Sequence, residues 1–276
     1  NHNCGCFSGV GGIAGNGRIP AMRPCVGFER WQFGRMVGYA LLNAFFHLIL
    51  TRQHMIDLRN CDCMDLMAEF PDGYFDLAIC DPPYGLNIAK NGRLHNNSKY
   101  DRGFKKNIDY GVVAWDELPP DKWYFQELKR VSKRQIIWGA NFFWEHLQNT
   151  RCVIVWDKRG KDKNPNFSPF EFAWTNFDAL PKIYEYGWLG FGYINSGEKK
   201  IHPTQKPVSL YRKLLTDFAK QGDKILDTHL GSASIALACH ELNYELTASE
   251  IDPKIYALAV NRFEAQRSLS LFSHCV

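Results

Sequence analysis

From Met55 onward the apolar positions come in short blocks separated by polar turns. Seven blocks of four to six residues predict strands: Met55–Arg59, Phe75–Cys80, Gln135–Trp138, Cys152–Trp156, Phe170–Thr175, Asp223–Leu226 and Tyr244–Ser249, of which Phe75–Cys80 and Cys152–Trp156 read as buried and Phe170–Thr175 as alternating in its faces. Other stretches carry their apolar residues on one face of a helix. Trp123, Phe125, Leu128 and Val131 stripe a helix over Trp123–Ser132. Val208, Leu210, Tyr211, Leu214, Leu215 and Phe218 stripe a second, with Pro207 at its first position and Gly222 closing it. Shorter helices are predicted over Asp62–Phe70, Asn141–Leu147 and about Ser232–Glu241. Asp252 caps a last helix opened by Pro253, with Ile255, Leu258, Ala259 and Phe263 on one side. Tyr184–Gly197 is rich in aromatics and glycine and shows no clear regular structure. Strands thus alternate with helices, the pattern of an α/β domain.

Residues 1–54 have a different texture, rich in Gly, Asn and Arg in their first part. The Gly-rich stretch Phe7–Gly12 has only six residues before it, so no strand leads into it as a cofactor loop would require. Val37–Leu50 is apolar but too short to span a bilayer, and Asn43 and His47 interrupt it. It also lacks the small-residue cleavage pattern of a signal peptide. The functional domain is therefore expected over 55–276, with 1–54 an ancillary extension or the product of an upstream start.

The chain of 276 residues is long enough for one large α/β domain or two small ones. A net charge of +4 permits a nucleic-acid partner without requiring one. Nine cysteines, an odd number, fit free thiols in a reducing compartment, so a cytoplasmic location and no membrane contact are expected. Cys4/Cys6 and Cys61/Cys63 have no neighbouring pair to complete a zinc set, and no metal is expected. Basic side chains gather in two places. Lys90, Arg93, Lys99, Arg102, Lys105 and Lys106 lie in a long loop at 86–111, and Lys158, Arg159, Lys161 and Lys163 form a second basic loop. Such loops are either solvated charge runs or phosphate-tracking segments, and the first loop directly follows the chain's most distinctive motif.

That motif is Asp81-Pro82-Pro83-Tyr84, at the end of a predicted strand. In open α/β sheets ligands bind at strand ends. The prolines stiffen the backbone and leave it mainly carbonyl acceptors, beside a carboxylate and a flat ring. That set suits a planar group carrying an amino NH2. In isolation the word reads equally well as an ordinary turn. A second device lies over a hundred residues later. Ile225–Glu250 reads as strand, small-residue loop, helix, strand, acid. Gly231 allows close backbone approach, a helix N-terminus offers N–H groups, and Glu250 is spaced to hold two ribose hydroxyls. This is a nucleoside-binding arrangement without a pyrophosphate motif.

Asp81–Tyr84, His202–Pro207, Asp227–Ser232 and Glu250, in this order, resemble the amino-methyltransferases of DNA, over about Met55–Phe263. A catalytic motif ahead of the cofactor loop is similar to the β subgroup. The wording of Gln135–Asn141, His202–Val208 and Asp227–Ser232 resembles phage and prophage members. The resemblance implies a Rossmann-like α/β methyltransferase sheet, mostly parallel, with helices on both faces and permuted motif order. It implies S-adenosylmethionine as cofactor and double-stranded DNA as partner, with a homodimer as one possible assembly. Target-recognition loops are expected at about 86–111 and 158–200.

Carried over position by position, Asp81, Pro82, Pro83 and Tyr84 are the catalytic residues. Asp227, Gly231 and Ser232 would surround the methionine part of the cofactor and Glu250 its ribose. Gln205 and Lys206 would lie near the carboxylate end, and Asp62 near the adenine. The family's loop usually reads Asp-Pro-Phe-x-Gly-x-Gly. Here Thr228 and His229 replace Pro and Phe, and Ala233 stands at the final Gly. An Asp in the first motif position goes more often with adenine N6, so adenine is the expected target. N4-cytosine methylation and an inactive DNA-binding relic are the alternatives. An RNA or protein amide methyltransferase is disfavoured by Asp81 and by the motif order.

Overall fold

The computed structural model describes residues 55–86, 118–159, 168–187, 198, 201–202 and 204–273. The expected ancillary segment 1–54 lies outside them. So do residues 87–111 of the first expected recognition loop and 160–167, 188–197 and 199–200 of the second. The elements in chain order are β1 (Ile56–Arg59), α1 (Cys63–Ala68), β2 (Leu77–Cys80), α2 (Lys122–Val131), β3 (Gln135–Trp138), β4 (Val153–Asp157) and β5 (Phe170–Thr175). They continue with β6 (Lys182–Glu185), α3 (Val208–Phe218), β7 (Lys224–Asp227), α4 (Ser234–Leu242), β8 (Glu245–Ser249) and α5 (Pro253–Ser273).

The eight strands of the described residues join one sheet in the order β1-β8-β7-β2-β3-β5-β4-β6. Among these described strands only β5 runs against the rest, pairing antiparallel with β3 and β4. The expected mostly parallel α/β sheet is therefore observed. Alternate residues of each central strand serve opposite faces. Leu77 and Ile79 of β2 join one core with α3, α4 and α5, while Ala78 and Cys80 join another with α1 and α2. Burial on both faces is why these strands read as unbroken apolar runs.

Local chemistry fixes the ends of the elements. Asp62 caps α1 by accepting from the Met64 N–H at 2.7 Å. Asp121 caps α2, accepting from Trp123 N–H at 2.8 Å, a contribution of about 1 kcal/mol. On α2 the buried stripe is Tyr124, Phe125, Leu128 and Val131; Trp123, expected on it, is 58 % exposed.

Four expected element limits are corrected. Asn141–Leu147 forms two 3₁₀ turns, Ala140–Phe142 and Trp144–His146, instead of a helix. Phe143 between them sits at φ −129°, ψ 14°, outside the helical region, with its ring buried against Phe125. Pro207 caps α3 from an extended conformation (ψ 145°) and is not its first turn; α3 ends at Phe218, four residues before Gly222. The α4 helix starts at Ser234, because Ala233 takes a left-handed backbone (φ 61°). The strand β6 was not anticipated. It is an edge strand of four residues pairing with β4, and its Ile183 points outward.

The register puts the two motif-bearing strands side by side. Leu77 pairs with Ile225 and Ala78 with Leu226, in parallel. Asp81 and Asp227 therefore emerge at the same sheet edge, from strands about 150 residues apart in sequence. In doubly wound sheets a crevice opens where neighbouring strands send their connections to opposite faces.

Candidate active site

A cavity of about 490 Å³ lies at this edge. Of the residues singled out from sequence, Asp62, Asp81, Pro83, Gln205, Lys206, Gly231, Ser232 and Glu250 line it. Pro82 and Asp227 are buried, and Tyr84 reaches the site through Asp81. The cavity thus brings the two motif groups, over a hundred residues apart, into one space. Its size is in the range of a single cofactor or drug-sized ligand.

Both oxygens of Asp81 are held. Tyr84 donates its hydroxyl to Oδ1 at 2.6 Å, and the Lys206 ammonium donates to Oδ2. Lys206, expected at the carboxylate end of the cofactor, lines the cavity with its Nζ bonded to the Asp81 carboxylate. It also lies 3.1 Å from Oε2 of Glu171, whose Oε1 accepts from Lys158 Nζ at 2.7 Å. The result is a line of alternating charge: Asp81, Lys206, Glu171, Lys158. The Lys206 side chain is 2 % exposed. Burial opposes its charge, but Asp81 and Glu171 outweigh that and hold its pKa above the ordinary lysine value. Burial likewise opposes the Glu171 charge, yet Lys206 and Lys158 hold this carboxyl down at about 2. Burial pushes the Asp81 carboxyl up; Lys206 pulls it back and Glu171 adds to the rise.

Tyr84 owes its position to Gly139, just past β3. Gly139 has φ +74°, and a Cβ built there would come within 2.2 Å of the Tyr84 ring. Phe142 stacks on the Tyr84 ring with centroids 4.9 Å apart and planes 16° apart. Phe143 meets it edge-on at 6.0 Å.

At the other end of the cavity, Glu250 accepts from Gly231 N–H and from Asp252 N–H, each at 3.0 Å. One bond on each oxygen leaves lone pairs on both for further donors. Gly231 has φ +52° and no side chain to stand between its backbone and the cavity. Asp227 Oδ1 accepts from His229 N–H at 3.0 Å. Burial, with repulsion from Asp81 and Glu250, pushes the Asp227 carboxyl up to about 8. Ser232 and Ser234 share a hydroxyl contact of 3.0 Å, and Arg262 donates to the Ser232 carbonyl at 2.7 Å. The Gln205 side-chain carbonyl accepts from Ile201 N–H at 2.8 Å, so it holds its own turn. Ala233, in place of the family's last loop glycine, keeps a glycine-like left-handed backbone.

The departures at Thr228 and His229 form a unit of their own. Tyr124 and Thr228 hydroxyls lie 2.7 Å apart, and Thr228 Oγ1 lies 2.9 Å from His229 Nδ1. Burial lowers the His229 pKa to about 4, against a smaller opposite pull from Asp62. A histidine depressed in the folded state favours folding fully above its unfolded value of about 6.5 and loses that contribution as pH falls toward 4. Relative to pH 7.5, His229 should therefore cost about 2 kcal/mol of stability at pH 5. Urea unfolding at both pH values is expected to show a smaller acid loss in His229→Phe than in the unsubstituted chain.

Glu171, Lys158 and Gly139 were not singled out from sequence as site residues. The signal for Glu171 was present: one acid inside the aromatic strand Phe170–Thr175. Lys158 was counted only within a basic loop, and its pairing to Glu171 depends on β4 and β5 being neighbours.

The N6/N4 methyltransferase model, described as DNA methylase, matches residues 125–261. The type II methyltransferase M.HpaI of Haemophilus parainfluenzae is 31% identical over 229 residues, covering 72% of this chain and 71% of that protein. The chain belongs to the DNA amino-methyltransferases. Another relative, the type II methyltransferase M.BglII of Bacillus subtilis, is 22% identical over 248 residues, covering 75% of this chain and 69% of that protein. Among solved structures, the PvuII DNA methyltransferase (cytosine-N4-specific) is 13% identical, with a TM-score of 0.49 over 75% of this chain and 85% of that one. This amino-methyltransferase is thus an S-adenosylmethionine-dependent enzyme family member whose substrate is DNA. Among its described residues no helix is long and apolar enough to cross a membrane.

Proposed function

We propose that this chain transfers a methyl group to the exocyclic N6 of an adenine flipped out of double-stranded DNA. The observation that carries the reading is the shared cavity: Asp81, the acceptor of the Asp-Pro-Pro-Tyr motif, opens on the same space as Gly231 and Glu250. The residues present suit the cofactor. Glu250 has lone pairs left for ribose hydroxyls, and Gly231 lets the backbone close on a ligand. S-adenosylmethionine supplies an electrophilic methyl group on a sulfonium centre.

The chain's part is to prepare the nucleophile. An exocyclic amino nitrogen is a poor one because its lone pair is conjugated into the ring. The Asp81 carboxylate and the Pro82 carbonyl would each accept one of its N–H bonds. That favours a more tetrahedral nitrogen with a localised lone pair. The prolines keep the two acceptors rigid, and positioning supplies much of the rate. Tyr84 offers a ring on which the extruded base stacks, since duplex DNA must be opened for this chemistry. One face of that ring already carries Phe142. A base therefore takes the other face or displaces Phe142. Asp at the first motif position favours adenine over cytosine, by resemblance to the family.

The test is to incubate the chain with labelled S-adenosylmethionine and DNA free of methylated bases, then digest the product to nucleosides. Label is expected in N6-methyldeoxyadenosine. Label in N4-methyldeoxycytidine would move the target to cytosine. No label on any DNA, with DNA binding retained, would leave an inactive relic.

A further inference from the structure

Glu171 takes no part in the proposed transfer, yet it contacts the same Lys206 ammonium as Asp81. We propose that Glu171 is a positioning residue for Asp81: by sharing the buried Lys206 ammonium, it keeps the Asp81 carboxylate oriented and basic enough to bind the target amino group. The proposal rests on the assignment of Asp81 as the acceptor of that amino group.

The fold brings Glu171 there by strand direction. All strands except β5 point their C-terminal ends at the cavity edge. Because β5 runs the other way, its N-terminal residues reach that edge. Glu171 is its second residue. The same reversal sets Lys158, which follows β4, opposite Glu171. A parallel strand in this position would send Glu171 to the far side of the sheet.

Without Glu171, Lys206 would have one carboxylate to satisfy it. An ammonium in a poorly solvated site binds a single carboxylate tightly, and a carboxylate held that way is a weak acceptor for anything else. With Glu171 present, the ammonium lies between two carboxylates, at Oδ2 of Asp81 and 3.1 Å from Oε2 of Glu171. Lys158 then balances the second acid, so the four charges sum to zero. Buried charges persist where they are paired in this way. The groups facing Asp81 are Tyr84 from its own loop, Lys206, Tyr211 from α3, Glu171 from β5 and Asp227 from β7. Of these, Glu171 is the negative group that contacts the same ammonium.

The sign follows from charge. Removing the negative charge of Glu171 leaves Lys206 wholly to Asp81 and lowers the proton affinity of Asp81. The acid side of the pH–rate profile, where protonation of Asp81 stops the reaction, then moves to lower pH. The plateau rate falls because the Asp81 oxygens are less available.

The experiment is Glu171→Gln, which keeps the shape and an acceptor for Lys158 but removes the charge. Single-turnover methyl transfer from labelled S-adenosylmethionine to unmethylated DNA would be followed from pH 4.5 to 9, with cofactor affinity measured by calorimetry. The acid limb is expected to move down by about one pH unit. The plateau is expected to fall about 10- to 100-fold, with cofactor affinity held within about threefold. Glu171→Asp should recover the original acid limb. An active parent enzyme with an unmoved acid limb and plateau in Glu171→Gln overturns the role of Glu171. A plateau loss with an unmoved acid limb makes Glu171 merely structural and overturns it too. A parent chain that methylates no DNA instead overturns the underlying assignment of Asp81.

Discussion

Asp81→Ala is expected to lower the rate of methyl transfer by at least about 10³-fold while cofactor binding stays measurable. On the proposed mechanism the rate loss comes from removing the carboxylate that accepts an N–H of the target amino group. Tyr84 and Lys206 both lose a partner, since they hold Oδ1 and Oδ2. The fold should survive this change. Lys206 keeps Glu171 at 3.1 Å, so the buried ammonium is not left without an opposite charge. Glu250, Gly231 and Asp62, proposed above to hold the cofactor, do not depend on Asp81 for their hydrogen bonds. Calorimetric titration with S-adenosylmethionine, beside a labelled transfer assay, checks both halves. Transfer at the parent rate would sink the assignment. Loss of cofactor binding would mean that Asp81 belongs to the cofactor end.

Gly139→Ala should be nearly as damaging, and for a reason that lies outside the motif. Gly139 has φ +74°, where an L side chain is strained, and the added Cβ would fall 2.2 Å from a Tyr84 ring carbon. That ring packs on a tight turn and is flanked by Phe142 and Phe143, so it has little room to retreat. Left-handed strain and overpacking together should cost about 3 kcal/mol. Moving Tyr84 also removes its hydroxyl from Asp81 Oδ1. The expected result is a lower denaturant midpoint and a loss of methyl transfer of about 100-fold or more. Equilibrium unfolding and the transfer assay read the two effects separately. Parent-like values in both would show that Tyr84 has another place to sit.

Several features were open to reading from sequence because they depend on local pattern. The strands Gln135–Trp138 and Phe170–Thr175 have the limits that their sequence pattern predicts. A run buried throughout, as Gln135–Trp138 is, announces itself without reference to its neighbours, and Phe170–Thr175 does so by its aromatic residues. Elsewhere a distant contact overrules local propensity. The 3₁₀ turns after β3 take the place of a helix where Phe143 turns into the core. The β6 strand exists by pairing with β4, and its short exposed edge carries little periodicity. Trp123 fits a helical stripe by spacing, yet it borders the cavity and Tyr124 takes the core position.

The site divides in the same way. Asp81, Tyr84, Gly231 and Glu250 were legible because each sits in a contiguous word at a strand end. By itself the sequence determined an α/β alternation, two chemical words in a given order, and the acid and glycine that each word carries. Tertiary structure alone decided that β2 and β7 are neighbours, which places both words on one cavity. It also decided that β5 runs backwards, which brings Glu171 to Lys206, the lysine that is bonded to Asp81. The physical reason is range. Side-chain periodicity and turn chemistry are set within a few residues. The pairing of a buried charge is set by whichever strand the sheet brings beside it.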